Sequence, residues 1–462
     1  MNAIILSAIW GVVMMFGGVF FKKASTPKYW AIAGLIIILA ANIFEFLGKP
    51  LFNIDTKGML GFDNFGLHFN TIAFFCTLIY FLLSGRDVEK VGKHVSEYFA
   101  LIFFVLCGVA IASSYTSLLM LFLGIEIMSI PLYILTGSDK LNLKSNEASL
   151  KYFLMGAFST GIMLMGITFL YGGNTLGSFN INTMNLGAGS LPVMIAIGLV
   201  LLVVSMSFKV SAAPFHFWAP DVYDGAPTVF TSFMATIVKV AGFIAFIRLF
   251  QNQLGLMQAQ WQMLIVIITA TTLVIGNLTA VFQQSVKRML AYSSIAQAGF
   301  MLLALFALND TAKEGLILYT AAYSLATIGL FAILVRMHDY TIEGFNGLSK
   351  TQPVLAFAAT IFLLSLTGIP LTAGFTAKFY MLVAAVKNGH QFWLVILAVI
   401  CAAISAYYYF KVIQAMYFKE PDADANHQMD VPSSFKWLLI FTAAIIIIIG
   451  IFPGLVIDWL YY

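Results

Sequence analysis

Two lysines lie deep inside apolar segments of the chain, each close to a proline that interrupts a helix. Lys209 lies in VSMSFKVSAAPFHFW and Lys378 lies in TGIPLTAGFTAKFY. A charged side chain near the centre of a bilayer costs at least roughly 2.5 to 3.5 kcal/mol, so it marks a functional site by default. Proline removes a backbone donor, and the carbonyl groups that it frees must bind protein or water. We therefore expect a hydrated ion pathway beside two broken helices.

Other ionisable side chains extend this pathway. Lys239 lies about twelve residues into its apolar segment, which at 1.5 Å per residue is roughly 17 Å deep. Glu126 is the one carboxylate well inside an apolar segment, and it must pair with a cation or stay protonated. Lys151 and Lys209 are its natural partners. His216 follows Lys209 by seven residues, so an unbroken helix would place both on one face about 10 Å apart, and imidazole passes protons through its two nitrogens.

Each of these residues also has a structural interpretation. Lys151 follows Glu147 by four residues, the spacing of an ordinary surface ion pair. Glu126 fits a structural ion pair that pins two helices, and His216 fits a satisfied histidine at the membrane surface. Lys378 reaches solvent if its half-helix ends early.

Lysine suits such a pathway because its charge is easily switched. Burial and a nearby like charge disfavour the ammonium form, whereas a nearby carboxylate favours it. A movement of Glu126 would therefore change the charge state of a neighbouring lysine. Water must complete the route, held by broken backbones and by polar side chains. The candidates are Ser205, Ser207, Ser211 and Thr376.

Lys411 lies near a helix end and extends towards the interface, so we expect it to matter less for this pathway.

Composition places the whole chain in a membrane and excludes several other classes. Of its 462 residues 61% are hydrophobic and only 10% are charged, with a mean hydropathy of +0.94. The net charge of +4 is spread over loops, which argues against nucleic acid binding. Cys76, Cys107 and Cys401 form no CxxC pair for a metal or cluster, and no GxGxxG follows a strand.

About 20 apolar residues per crossing predict about fourteen transmembrane helices. We expect helix 7 to be broken at Pro214 and helix 12 to be broken around Pro370. Odd-numbered loops carry fourteen Lys and Arg residues, whereas even-numbered loops carry five. By the positive-inside rule the odd loops are cytoplasmic, so both termini face the outer, periplasmic side.

Three segments identify a family resemblance. FKVSAAPFHFWAPDVYDGAPT, KRMLAYSSIAQAGF and GIPLTAGFTAKFY resemble the antiporter-like membrane subunits of respiratory complex I, over nearly the whole chain. The resemblance implies an all-α membrane fold with two inverted five-helix repeats, helices 4–8 and 9–13. The implied divisions are 1–97 for helices 1–3, 98–250 for the first repeat, 262–418 for the second repeat and 436–462 for helix 14.

The resemblance also implies roles for individual residues. Glu126 and Lys209 would form a modulating pair, Lys239 and His216 would lie on a central relay, and Lys378 would guard the far half-channel. Lys151 matches a lysine of the family as well.

Two positions refine the resemblance and one departs from it. Lysine at position 378, where the M-type subunit carries glutamate, disfavours that type. The chain ends at Tyr462, directly after helix 14, whereas the L-type subunit continues into a long lateral helix, so we expect the N-type. Gln297 stands where family members usually carry histidine. A relay at that position would need water or the amide.

The implied protein is a non-redox subunit of a proton-pumping NADH:quinone oxidoreductase in the bacterial inner membrane. NADH, FMN, iron-sulfur clusters and quinone would bind to partner subunits and no cofactor to this chain. Its partners would be other membrane and peripheral subunits of complex I and the lipid bilayer. Two alternatives remain open: a subunit of a multi-subunit sodium/proton antiporter, and an independent secondary transporter with substrate-specific polar groups.

Overall fold

The computed structural model describes residues 1–21, 25–174, 176–184, 192–251, 254–421 and 431–461, and this part of the chain is helical without a β-strand. Its α-helices are α1 (Asn2–Phe20), α2 (Thr26–Phe46), α3 (Asn64–Ser84), α4 (Val95–Ser114), α5 (Leu118–Thr136), α6 (Leu143–Gly173), α7 (Val193–Lys209), α8 (Trp218–Gly225), α9 (Thr228–Phe233), α10 (Lys239–Phe250), α11 (Gln258–Val281), α12 (Val286–Ala307), α13 (Asp310–Leu334), α14 (Leu348–Thr351), α15 (Pro353–Thr367), α16 (Ala373–Lys387), α17 (Phe392–Phe418), α18 (Ser433–Ile451) and α19 (Gly454–Ile457).

Within the described ranges, twelve helical segments are long and apolar enough to cross a membrane. Two further apolar helices, α7 and α15, are shorter, with 17 and 15 residues. The predicted all-α integral membrane architecture is confirmed, whereas the count of fourteen crossings stays a prediction. Two of the basic residues that set the predicted orientation, Lys22 and Lys23, lie outside the described residues.

The backbone is interrupted at both predicted places and at a third. Helix α7 ends at Lys209, and α8 begins only at Trp218, after a turn that contains Pro214. Helix α15 ends at Thr367, where Gly368 takes a φ of 90°, and α16 follows from Ala373. The third irregularity is a π-helical segment, Met234–Val238, between α9 and α10. It contains no proline that would predict it from the sequence, and it leads directly into Lys239.

The centre of the bundle is formed by helices that carry or contact the buried lysines. In the most apolar window of α13 every residue is buried, and in α12 and in the segment from α9 to α10 94% are buried. In the most apolar windows of α1 and α18, only 28% and 33% of the residues are buried. The polar residues of α10 and α12 therefore lie in the protein interior, whereas α1 and α18 expose their apolar side chains.

Helices α6 and α7 cross at a point of backbone contact. A Cβ atom on Gly166 would lie 3.0 Å from the carbonyl oxygen of Gly198, and one on Gly198 would lie 2.8 Å from that of Gly166. Small residues at such crossings allow close packing of membrane helices. This contact brings together the helices that carry Thr160 and Lys209.

We predict that Gly166→Leu destabilises the protein and that Gly161→Leu on the same helix does not. A side chain at Gly166 meets the α7 backbone, whereas one at Gly161 has no atom within 4 Å. Overpacking of this kind costs about 1 to 3 kcal/mol. The midpoint of thermal unfolding of the detergent-solubilised protein measures the difference. Equal midpoints for the two variants would show that the crossing tolerates a larger spacing.

Candidate functional site in the membrane core

Glu126, Thr160 and Lys209 meet where α5, α6 and α7 pack together. The Thr160 hydroxyl donates to Oε1 of Glu126 at 2.8 Å. Nζ of Lys209 donates to Oγ1 of Thr160 at 3.4 Å and to Oγ of Ser129 at 3.1 Å. Ser129 follows Glu126 by three residues and therefore lies on the same face of α5. The carboxylate and the ammonium are joined through one hydroxyl.

The predicted partners of Glu126 are corrected in two respects. Among the residues that the structure describes, no nitrogen of Lys151 or Lys209 lies within ion-pair distance of Glu126. Lys209 is instead connected to it through Thr160. Lys151 lies elsewhere, because its ammonium contacts Glu147 at 2.7 Å and Asp221 at 3.2 Å. The surface ion pair with Glu147 that the spacing of four residues predicts is confirmed.

Asp221 on α8 connects Lys151 of α6 with Arg288 of α12. Its second carboxylate oxygen accepts from Nη2 of Arg288 at 3.0 Å. The hydrogen bonds from Lys151 and Arg288 favour the ionised form of the Asp221 carboxyl. The cluster lines an open cleft of about 190 Å³. The short helix after the first break thus contacts both α6 and α12.

Lys239 lies fully in the interior, with 1% of its surface exposed. Its ammonium donates to the hydroxyl of Ser294 at 2.9 Å and to the carbonyl of the same residue at 3.0 Å. The ring of Tyr223 lies 5.8 Å away. The π-helical segment just before Lys239 leaves the carbonyl of Ala235 as acceptor for the Tyr323 hydroxyl, at 2.7 Å.

Lys378 caps the helix that ends at the second break. Its ammonium donates to the carbonyls of Leu366 and Thr367 at 2.8 and 2.9 Å. These carbonyls belong to the last turn of α15 and have no intrahelical partner. The ring of Phe300 lies 4.6 Å from Nζ. The alternative in which Lys378 reaches solvent is wrong, because its side chain is buried.

Gln297 is held in one orientation beside Lys378. Its amide nitrogen donates to the Leu366 carbonyl at 2.9 Å and to the Tyr409 hydroxyl at 3.2 Å. Its amide oxygen accepts from the Tyr319 hydroxyl. Leu366 therefore receives hydrogen bonds from both Gln297 and Lys378, and α12 is tied to the end of α15.

His216 lies in the turn between α7 and α8. Its ring stacks on Phe217 at 4.8 Å, and Nδ1 is buried with no hydrogen bond of good geometry among the described residues. The turn abolishes the continuous helical face that would place His216 above Lys209. Within the same described ranges, no hydrogen bond joins His216 to Lys209 or Lys239.

The sequence did not reveal most of the groups that hold the lysines. Thr160 and Ser294, which bind Lys209 and Lys239, are ordinary helix residues, and only their position on a buried face distinguishes them. Of the predicted hydroxyls, Ser205 bonds to the Ser159 carbonyl at 2.8 Å and connects α6 with α7. The Thr376 hydroxyl bonds to the carbonyl of Ala373, within its own helix.

Comparison with known proteins establishes the family. The family model described as NADH:quinone oxidoreductase/Mrp antiporter, TM, matches residues 115–405. NADH-quinone oxidoreductase subunit N of Cytophaga hutchinsonii is 39% identical to the chain, over 99% of both proteins. The chain belongs to the NADH-quinone oxidoreductase subunit N family, the proton-translocating membrane subunits of complex I. The subunit N of Flavobacterium psychrophilum is 37% identical over the full length of both. The predicted resemblance and its N type are confirmed.

Solved structures agree with this assignment to subunit N. A chain of respiratory complex I from Thermus thermophilus with bound aureothin superimposes with a TM-score of 0.83 at 30% identity, covering 99% of this chain and 98% of that one. A chain of the Mrp complex from Dietzia sp. has a TM-score of 0.84 at 18% identity, covering 99% and 95%. The second likeness shows the fold alone.

We predict that Thr160→Val lowers proton pumping by this subunit N and that Thr168→Val does not. Both threonines lie on α6 and bond to the carbonyl four residues earlier at 2.9 Å, but only Thr160 contacts Glu126 and Lys209. A hydrogen bond to a charged group contributes about 1.5 to 3 kcal/mol, so its removal changes the protonation of Lys209 measurably. Protons pumped per NADH oxidised in membrane vesicles report the effect. Full pumping by Thr160→Val would show that the bridge is dispensable.

Proposed function

We propose that this chain moves protons across the membrane through a relay of buried Glu, Lys and His side chains and water, driven by quinone reduction on partner subunits. The observation that carries the proposal is the surroundings of the three inner lysines. Lys209, Lys239 and Lys378 each donate to neutral hydroxyl or carbonyl oxygens, and none has a carboxylate within ion-pair distance among the described residues. A buried ammonium without a counter-charge gains little from staying charged, so it releases and regains a proton easily.

Glu126 would control the first lysine of the relay. Its carboxylate acts on Lys209 through the Thr160 hydroxyl, which accepts from one group and donates to the other. A charged Glu126 favours the ammonium of Lys209, and withdrawal of that charge favours proton release. Lys239 and Lys378 continue the route, and Lys378 would guard the far half-channel. His216 and Lys151, which the family resemblance also places on the route, would act through water.

Two inverted repeats would organise this relay. Counting α7 with α8, and α15 with α16, as one interrupted crossing each gives fourteen crossings, with repeats at 98–250 and 262–418 between the segments 1–97 and 436–462. Lys209 lies at the break of the first repeat, and Lys378 lies just after that of the second. This equivalence supports a half-channel in each repeat.

The chain would work as a non-redox subunit of a translocating enzyme complex. We infer that NADH, FMN, iron-sulfur clusters and quinone bind to its partners, the other membrane and peripheral subunits of complex I. The location would be a bacterial inner membrane, with both termini on the periplasmic side. The identity of 39% with a subunit N of Cytophaga hutchinsonii supports this assignment.

Association with redox subunits distinguishes this function from that of a sodium/proton antiporter subunit, since the likeness to the Mrp complex concerns the fold alone. We predict that the chain, purified gently through an affinity tag, brings flavin and iron-sulfur subunits with it. Absorbance spectra and mass spectrometry of the purified complex test this. An assembly that contains antiporter subunits and no flavin would reverse the assignment, and solute uptake by the purified chain alone in vesicles would favour an independent transporter.

We predict that Lys209→Ala and Glu126→Ala each lower proton pumping coupled to NADH oxidation while the complex still assembles. Lys411→Ala is the control, because Lys411 lies on α17 outside the cluster. Pumping is measured as protons per NADH in inverted membrane vesicles, and assembly as reductase activity with an artificial electron acceptor. An assembled Lys209→Ala variant that pumps normally would remove Lys209 from the relay.

A further inference from the structure

Lys287, the second residue of α12, is a buried lysine that the proposed relay does not use. Only 4% of its surface is exposed. Its ammonium donates to the carbonyls of Asp224 and Ala226, both at 2.7 Å, and the ring of Tyr340 lies 5.6 Å from Nζ. Among the residues that the structure describes, no carboxylate lies within ion-pair distance of this nitrogen. Backbone carbonyls therefore hold Lys287 in place, without a counter-charge.

These two carbonyls lie at the end of α8, where intrahelical donors run out. The last carbonyls of any helix lack such donors, and after one further residue the chain continues with Pro227, which has no N–H. The hydroxyl of Thr231 donates to the carbonyl of Tyr223 in the same helix end, at 2.9 Å. Lys287 completes this cap, as Lys378 does at the end of α15.

Helix α8 is held from two sides. Arg288, the neighbour of Lys287, donates to Asp221 in the first turn of α8 at 3.0 Å, so two adjacent residues of α12 bind the start and the end of this helix. On the opposite side Gly225 packs against α6, because a Cβ atom there would lie 2.6 Å from the carbonyl oxygen of Lys144. Helix α8 is thereby held between α6 and α12.

Side chains of α8 lie beside two lysines of the relay. The ring of Tyr223 lies 5.8 Å from Nζ of Lys239. At the other end of α8, the indole of Trp218 donates to the carbonyl of Phe208, the residue before Lys209, at 3.0 Å. A shift of α8 would therefore alter the surroundings of both lysines.

We propose that Lys287 is a positioning residue for proton translocation. It fixes the end of α8 through two hydrogen bonds to backbone carbonyls, so that Tyr223 and Trp218 keep their places beside Lys239 and Lys209. The inference rests on the proposed relay and gives Lys287 no proton to carry. The position requires N–H donors of sufficient reach, whether or not the group that carries them can lose a proton.

Two substitutions at position 287 separate positioning from proton transfer. Lys287→Met keeps an unbranched side chain and removes the donors, whereas Lys287→Arg keeps N–H donors on a group that does not deprotonate in proteins. We expect Lys287→Met to lower the number of protons pumped per NADH and Lys287→Arg to retain it. Lys144→Met is the control with unchanged pumping, because it removes an exposed ammonium from the cleft that also contains Arg288. Normal pumping by Lys287→Met overturns the proposal.

Hydrogen exchange at α8 reports on the cap itself. We expect the amides of residues 218–226, followed by mass spectrometry of the assembled complex, to exchange faster in Lys287→Met and at the original rate in Lys287→Arg and Lys144→Met, since loss of the cap loosens the helix end. Unchanged exchange in Lys287→Met overturns the proposal. Loss of pumping in Lys287→Arg with unchanged exchange does so too, because position 287 would then have to release a proton.

A neutral donor at the same helix end provides a second variant. If Lys287→Met fails to assemble, as judged by reductase activity with an artificial electron acceptor, Thr231→Val decides, because it removes the hydroxyl that binds the Tyr223 carbonyl. Faster exchange of α8 together with lower pumping and retained reductase activity supports the proposal. Normal pumping or unchanged exchange overturns it.

Failure of the proposal differs from failure of the relay. If Lys209→Ala stops pumping while Lys287→Met pumps normally, the relay stands and α8 needs no cap from α12. If Lys209→Ala pumps normally, the relay itself is wrong, and the exchange rates of α8 still test the cap.

Discussion

A backbone carbonyl inside a bilayer needs a hydrogen-bond donor from the protein or from water. At the end of α15 this requirement is met by a buried ammonium group, that of Lys378. The last four carbonyls of a helix lack intrahelical donors. At this end, the amides of Gly368 and Ile369 satisfy Leu364 and Ser365, at 3.0 Å, and Lys378 satisfies Leu366 and Thr367. Without the ammonium, these two carbonyls would lack donors. Without the break, the buried ammonium would lack acceptors, so either feature alone would be costly.

The last carbonyls of α7 receive hydrogen bonds from other donors. The amides of Val210, Ser211 and Ala212 bond to its last carbonyls at 2.8 to 3.1 Å, and the indole of Trp218 donates to that of Phe208 at 3.0 Å. Lys209 is not needed as a cap, and its ammonium extends to α5 and α6 instead. The two lysines lie beside corresponding breaks but differ physically. Lys378 caps its helix end, whereas Lys209 is bound by two hydroxyls, one of which, that of Thr160, also contacts Glu126.

The sequence predicted the breaks and the buried charges because both rest on single-residue properties. Pro214 and Pro370 cannot continue a helix, and a lysine in hydrocarbon is costly wherever its side chain points. It did not predict the partners, because these depend on how helices rotate and cross. The link from Glu126 through Thr160 to Lys209 needs three helices in one packing, and direct contact of Glu126 with Lys151 or Lys209, the two predicted partners, was wrong. The π-helical segment before Lys239 contains no proline, so no single residue predicts it.

Gln297 shows that the loss of a titratable group need not weaken a site. Histidine at this position would exchange protons but would also change charge inside the core, with a desolvation cost in its charged form. The amide is always neutral, and its bonds to Leu366, Tyr319 and Tyr409 connect α12 with α13, α15 and α17. The second break is thereby held in a fixed geometry by a group whose own charge does not change.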